Sequence, residues 1–248
     1  MEKTLRGTFR LTCGISLAAM IAAAPVQHSS ADENTIRVGT TGDYRPVTWY
    51  DPSTDQYSGT EITLVEAFAG DRGLTIEFVR TTWPTLMEDL LANDFDMAVG
   101  GISWTQQRAD QALTSVTIET FGKVAVVRCG EEDRFGSLEA IDQPGIRIVE
   151  NRGGTNEQFA LSQIRHATLT IVPNNSEPPE YLMENRADVF FTDSIEAVYF
   201  ESLEHGLCAV NADHPYTHGT KVFLFAEGEV TLRDDFDAWF TQRSSDED

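Results

Sequence analysis

Three short stretches place residues capable of chemistry at the ends of apolar runs. The first, Asn151-Arg152-Gly153-Gly154-Thr155-Asn156-Glu157, follows GIRIVE and precedes a stretch with helical spacing. A glycine pair and a threonine N-cap leave backbone N–H groups and a hydroxyl facing whatever lies above the helix, where a carboxylate or phosphate is favoured. A plain turn with a threonine cap fits Gly154 and Thr155 equally well. No lysine follows the second glycine, which excludes a P-loop, and the dinucleotide spacing G-x-G-x-x-G is absent too. Glu157 has two roles open to it. An acid in a first helical turn is favoured by the macrodipole, by about 0.3–1 kcal/mol. A partly desolvated acid beside an anionic ligand would instead keep its proton to higher pH and act as a general acid.

The second stretch runs from Gly100-Gly101-Ile102-Ser103 to Arg108, again beyond an apolar run. The planar guanidinium of Arg108 suits a carboxylate, which it can hold bidentately, and Ser103 offers a hydroxyl nearby. An arginine on an exposed helix is the competing role. The third is Thr192-Asp193-Ser194, where Asp193 either caps the following helix or accepts a bond from a ligand ammonium or hydroxyl. Tyr44 in TGDYRP and Trp83 in TTWPTL follow predicted strands and are candidates for the walls of a ring-sized site, with core packing as the alternative.

The elements that must position these residues are short. IRVGT, TIEFVR, FDMAVGG, GKVAVVR, GIRIVE, LTIVP, ADVFFTD, LCAV and KVFLF read as strands. EITLVEAFAGD, WPTLMEDLLAN, TNEQFALSQIR, PPEYLMENR and SIEAVYFESL carry apolar residues at helical spacing. Strand and helix alternating in this way predict an α/β fold built from βαβ units and parallel sheets. Segments 117–122 and 213–221 suit crossovers between two lobes, giving one lobe of residues 32–118 plus 222–248 and another of 119–221. The cleft between lobes is then the expected ligand site.

The chain has 248 residues, 41% of them hydrophobic and 23% charged, an ordinary globular composition. Its charge is unusual. Eighteen basic residues face 40 acidic ones for a net −22, which excludes nucleic acid and anionic lipid as partners. Residues 1–31 read as a secretory signal peptide, with Lys3, Arg6 and Arg10, an apolar run from Leu11 to Ala24 and small residues before a cut after Ala31. That run is too short to span a bilayer, so no membrane insertion is expected after cleavage. The two cysteines beyond the leader, Cys129 and Cys208, are predicted to pair in an oxidising compartment, with two buried thiols as the alternative. A zinc site is disfavoured because no His or Cys lies at ligand spacing from either. So acidic a chain, with Lys123 and Lys221 its only lysines outside the leader, looks adapted to high salt.

The motifs together resemble the periplasmic amino-acid-binding proteins of ABC importers, solute-binding protein family 3, over essentially the whole chain beyond the leader. The resemblance implies a periplasmic-binding-protein-like fold of two α/β lobes joined by two crossover strands. It also implies that Arg108, Ser103 and Thr155 grip a ligand carboxylate and that Asp193 accepts its ammonium. Within that family, TTGDYRP, TTWPTLM, FDMAVGGIS, GLCAV and the block from Asn151 to Ala160 are similar to the periplasmic cyclohexadienyl dehydratases. No extended C-terminal helix with the Lys-Trp-Phe run of transport members is expected, which fits that branch.

This narrower resemblance implies a carbon–oxygen lyase that takes prephenate to phenylpyruvate, or arogenate to phenylalanine, with loss of water and CO₂. Glu157 would be the general acid. Arg108, Ser103, Gly154, Thr155, Asn156 and Asp193 would hold the substrate, and Tyr44 and Trp83 would wall its ring. No cofactor or metal is implied. The alternative is a non-catalytic amino-acid-binding protein, for which an ABC permease would be the partner. The Val47-Thr48-Trp49 and Ser176-Glu177-Pro178-Pro179 stretches depart from the branch pattern and leave the choice of prephenate or arogenate open.

Overall fold

Alternating side chains of short strands feed two apolar clusters on opposite faces of each sheet, and this sets the architecture. In the computed structural model, which describes residues 34–247, the first sheet has five strands. Their order is Thr75–Arg80, Thr35–Thr40, Met97–Ala98, Leu224–Phe225 and Leu113–Thr114. Met97 and Phe225 point into a cluster with Val38, Phe68, Phe236 and Trp239, while their neighbours Ala98 and Leu224 point into one with Leu86, Leu90 and Phe95. Helices Thr60–Arg72 and Val230–Glu247 supply Phe68, Phe236 and Trp239 to the first cluster, and helix Leu86–Leu91 supplies Leu86 and Leu90 to the second.

The second half repeats the scheme. Strand Lys123–Arg128 lies between Phe190–Asp193 and Leu207–Val210, antiparallel to both. Val124 and Val126 face one cluster, Ala125 and Val127 the other. Arg147–Asn151 pairs in parallel with Thr168–Val172 and touches the three-stranded sheet through the Ile148–Val189 bridge. The chain passes between the halves twice, through strands Glu119–Phe121 and Gly219–Lys221, which pair antiparallel in a ribbon of their own. The result is two α/β lobes joined by two crossover strands. Cys129 and Cys208 form a disulfide beside the pairing of Val127 with Cys208.

Several expectations need correction. The sheets are mixed rather than parallel, because each crossover reverses the chain and leaves Lys123–Arg128 and Leu224–Phe225 antiparallel to their neighbours. KVFLF is broken after Lys221: Val222 donates to the Ile102 carbonyl, and the sheet strand resumes only at Leu224. FDMAVGG is a strand only at Met97–Ala98, since Gly100 and Gly101 take φ of +117° and +77° and turn the chain away. A long C-terminal helix is present at Val230–Glu247, anchored by Phe236 and Trp239, and its many acids had masked its apolar stripe. The signal peptide and its cut after Ala31 lie outside the described residues. No helix among the described residues is long and apolar enough to cross a membrane.

Candidate functional site

The site is assembled where strand ends from both lobes meet the crossover ribbon. Asp193 ends its strand directly opposite Lys123, which begins the neighbouring one, and Lys221 ends the second crossover strand. Pairing register therefore sets one carboxylate between two ammonium groups. Lys123 Nζ lies 2.5 Å from Oδ1 and Lys221 Nζ 2.5 Å from Oδ2. Tyr44, carried on the small three-stranded sheet that begins at Asp43–Tyr44, donates its hydroxyl to Oδ2 at 2.9 Å. Burial pushes the Asp193 carboxyl up, but the two lysines outweigh it and hold the group down at about 2. Burial lowers the Lys221 ammonium, partly offset by Asp193.

Each lysine also grips a different lobe. Lys221 Nζ donates to the Gly101 carbonyl at 2.7 Å and to Ser103 Oγ at 3.1 Å. Lys123 Nζ donates to Thr155 Oγ1 at 2.9 Å and to Asn156 Oδ1. The N-cap of helix Thr155–Gln163 is Gly154, not Thr155 as the sequence suggests. The threonine hydroxyl is thereby free to accept from Lys123 and to lie 3.4 Å from Ser103 Oγ of the other lobe. Arg108 is buried on the short helix Gln106–Ala109, whose N-cap Thr105 accepts from the Arg108 N–H. Its Nη1 donates to the Ser103 carbonyl at 2.7 Å, and burial lowers its guanidinium to about 10. Such a desolvated cation gains from an incoming carboxylate.

These groups surround a narrow cavity. The structure brings together on its wall Arg108, Ser103, Gly154, Thr155, Asn156, Asp193, Tyr44 and Trp83. Tyr44 and Trp83 meet edge to face, ring centres 6.2 Å apart, and Trp83 Nε1 donates to Asp43 Oδ1 at 3.0 Å. Gly101 and Asn151, from the first two stretches, and Asn175, which sequence reasoning missed, complete the wall, and the buried Asn151 Oδ1 has no partner among the described residues.

Glu157 is placed differently from the rest. It is half-buried, is not among the wall residues, and Oε2 accepts the Gly153 N–H at 2.7 Å, closing its helix onto the preceding loop. Two other carboxyl groups, likewise outside the wall, are buried and pushed towards the neutral form. Glu196, in the first turn of helix Ser194–Ser202, is buried, accepts the Thr192 hydroxyl at 2.5 Å and accepts from Asn175 Nδ2 at 3.2 Å. Burial first, then neighbouring Asp193 and Asp43, push it up to about 8 against the opposing Thr192 bond. Glu61, buried behind the Gly100–Gly101 turn, is pushed by burial to about 7. The signal for the missed cations was present, since Lys123 and Lys221 are the only lysines after Lys3.

Two lobes around a polar cleft, with an arginine, a helix N-terminus and an acidic strand end, define a solute-binding architecture. The chain belongs to the bacterial extracellular solute-binding proteins, family 3, whose model matches residues 36–248. It is similar to a cyclohexadienyl dehydratase of Pseudomonas aeruginosa, 34% identical over 239 residues that make up 94% of this chain and 88% of that protein. Among solved structures it resembles an ancestral amino-acid-binding protein described as a precursor of cyclohexadienyl dehydratase. That likeness has a TM-score of 0.79 and 30% identity, and covers 86% of this chain and 91% of that one. An ancestral cyclohexadienyl dehydratase is 41% identical, with a TM-score of 0.50 and coverage of 86% and 88%.

Proposed function

We propose that this protein is a periplasmic cyclohexadienyl dehydratase acting on prephenate, arogenate or both. The observation that carries the proposal is one cavity lined by Arg108, the N-terminus of helix Thr155–Gln163, Tyr44 and Trp83, with the buried carboxyl of Glu196 behind its Asn175 wall. The dehydratase homologue supports the same function. Export is supported by the family's extracellular description, and the lobe boundaries at 32–118 plus 222–248 and 119–221 belong to the proposal.

The chemistry needs one proton. Protonating the ring hydroxyl oxygen lets its C–O bond break and water leave. The bond to the ring carboxylate then breaks, its electron pair enters the ring, CO₂ departs and the ring becomes aromatic. Arg108 and the N-terminus of helix Thr155–Gln163 anchor a substrate carboxylate, Tyr44 and Trp83 flank the ring, and the Lys123–Asp193–Lys221 cluster offsets the substrate's negative charge. We assign the proton donor to Glu196 rather than Glu157, whose carboxylate is engaged by Gly153. Delivery requires the Glu196 carboxyl to exchange Thr192 for the substrate hydroxyl. A positioned acid contributes about 10²–10⁴-fold, orientation and the dry cleft the remainder.

A non-catalytic amino-acid binder would need Asp193 free to accept a ligand ammonium. Both of its oxygens already face lysine ammonium groups, which favours prephenate, a ligand without an ammonium, over arogenate or another amino acid. Incubation of the purified protein with prephenate tests the proposal through the appearance of phenylpyruvate. Stoichiometric amino-acid binding without product formation would contradict it.

A further inference from the structure

Glu61 takes no part in the chemistry above, yet its contacts reach the site. It is the second residue of helix Thr60–Arg72 and is 4% exposed. An acid at such a position ordinarily bonds to its own helix end. Glu61 Oε2 instead accepts the N–H groups of Gly100 at 2.7 Å and Gly101 at 2.8 Å, 39 and 40 residues along the chain. Among the described residues no backbone acceptor reaches those two N–H groups.

The turn they belong to carries much of the cleft's cation chemistry. The Gly101 carbonyl holds Lys221 Nζ, the Ser103 carbonyl holds Arg108 Nη1, and Ser103 Oγ is the second contact of Lys221. The turn is also wedged tightly. A Cβ on Gly100 would fall 2.7 Å from Thr48 Cγ2, and one on Gly101 2.7 Å from the Tyr44 ring. Any displacement of the turn therefore moves Lys221, Arg108 and the Tyr44 wall together.

We infer that Glu61 is a positioning residue for the cleft: one carboxylate oxygen gathers the Gly100 and Gly101 N–H groups and so fixes the turn that holds Lys221 and Arg108. The inference rests on the dehydratase function only for its kinetic probe, prephenate. It goes beyond that function in assigning a role to a group outside the cavity wall.

The test compares the wild-type protein with Glu61→Ala, Glu61→Gln and Glu61→Asp in prephenate kinetics and ¹H–¹⁵N spectra. Glu61→Ala is expected to raise KM by about tenfold or more with little change in kcat, the scale of losing charge-assisted hydrogen bonds. Glu61→Gln, whose carbonyl can still accept both N–H groups, is expected to restore most of the affinity. Glu61→Asp, one methylene short, is not. Without ligand and at pH 9, where Glu61 is ionised, the Gly100 and Gly101 amide protons are expected to move upfield together in Glu61→Gln, as a neutral acceptor replaces a charged one. A folded Glu61→Ala with unchanged KM overturns the inference. If Glu61→Ala does not fold, equal KM values for the Gln and Asp variants overturn it. If the wild type does not turn over prephenate, the dehydratase function fails, and the spectra still decide the inference: glycine amides that stay in place overturn it.

Discussion

Lys221 and Asp193 meet at 2.5 Å with side chains only 1% and 3% exposed, and Lys123 completes the cluster on the other carboxylate oxygen. One negative and two positive charges are thus sealed between the lobes. Breaking a buried pair by removing one partner leaves an uncompensated charge, which costs about 3–5 kcal/mol. Asp193→Asn is therefore expected to destabilise the protein by about that amount, because it leaves two ammonium groups facing each other. Chemical denaturation of the variant and the wild type measures the difference; equal stability would show that the cluster is not electrostatically coupled.

Activity should depend on pH in one direction. Glu196 must be protonated to deliver a proton, and its carboxyl is pushed up to about 8. The expected kcat/KM for prephenate holds below that value and falls as pH rises through it. A profile that already falls as pH rises through 4–5, the ordinary carboxylic range, would point to a donor with an unshifted pKa.

Stability should fall over a related interval for a different reason. Glu61 and Glu196 are raised from 4.5 to about 7 and about 8, so their stabilising effect is complete below 4.5 and is lost as pH rises through the folded values. Asp188 and Asp193, held down at about 2, act oppositely and weaken the fold only as pH drops from 3.8 towards 2. Thermal unfolding is expected at a higher temperature at pH 5 than at pH 8, with a smaller drop in Glu196→Gln. A melting temperature that rises from pH 5 to pH 8 would contradict this.

Legibility from sequence tracked distance along the chain. Arg108, Ser103 and the Gly154–Thr155 turn announce themselves locally, because each lies just past an apolar run, and they do converge on one cavity. The Lys123–Asp193–Lys221 cluster depends on antiparallel register and on the crossover ribbon, relationships that no local spacing encodes. Glu196 reads in sequence as an ordinary first-turn acid, and only its burial, with Asp193 and Asp43 nearby, pushes its carboxyl up to about 8. The helix Val230–Glu247 was hidden by its acids, although Phe236, Trp239 and Phe240 keep helical spacing.

The net charge of −22 predicts the response to salt. At about 1 M ionic strength the Debye length is roughly 3 Å, so surface repulsion among acids is screened while the buried cluster is not. The melting temperature is expected to rise, and activity to persist, as sodium chloride goes from low to molar concentration. Loss of folded structure above physiological salt would argue against adaptation to salt.

The central claim is that this solute-binding fold delivers a proton from Glu196 to its ligand. The most direct measurement follows phenylpyruvate formation from prephenate by the purified wild-type protein, Glu157→Gln and Glu196→Gln under identical conditions at neutral pH. Product is expected from the first two and loss of about 10²-fold or more from the third. Unchanged turnover in Glu196→Gln, or binding without product in the wild type, would contradict the account.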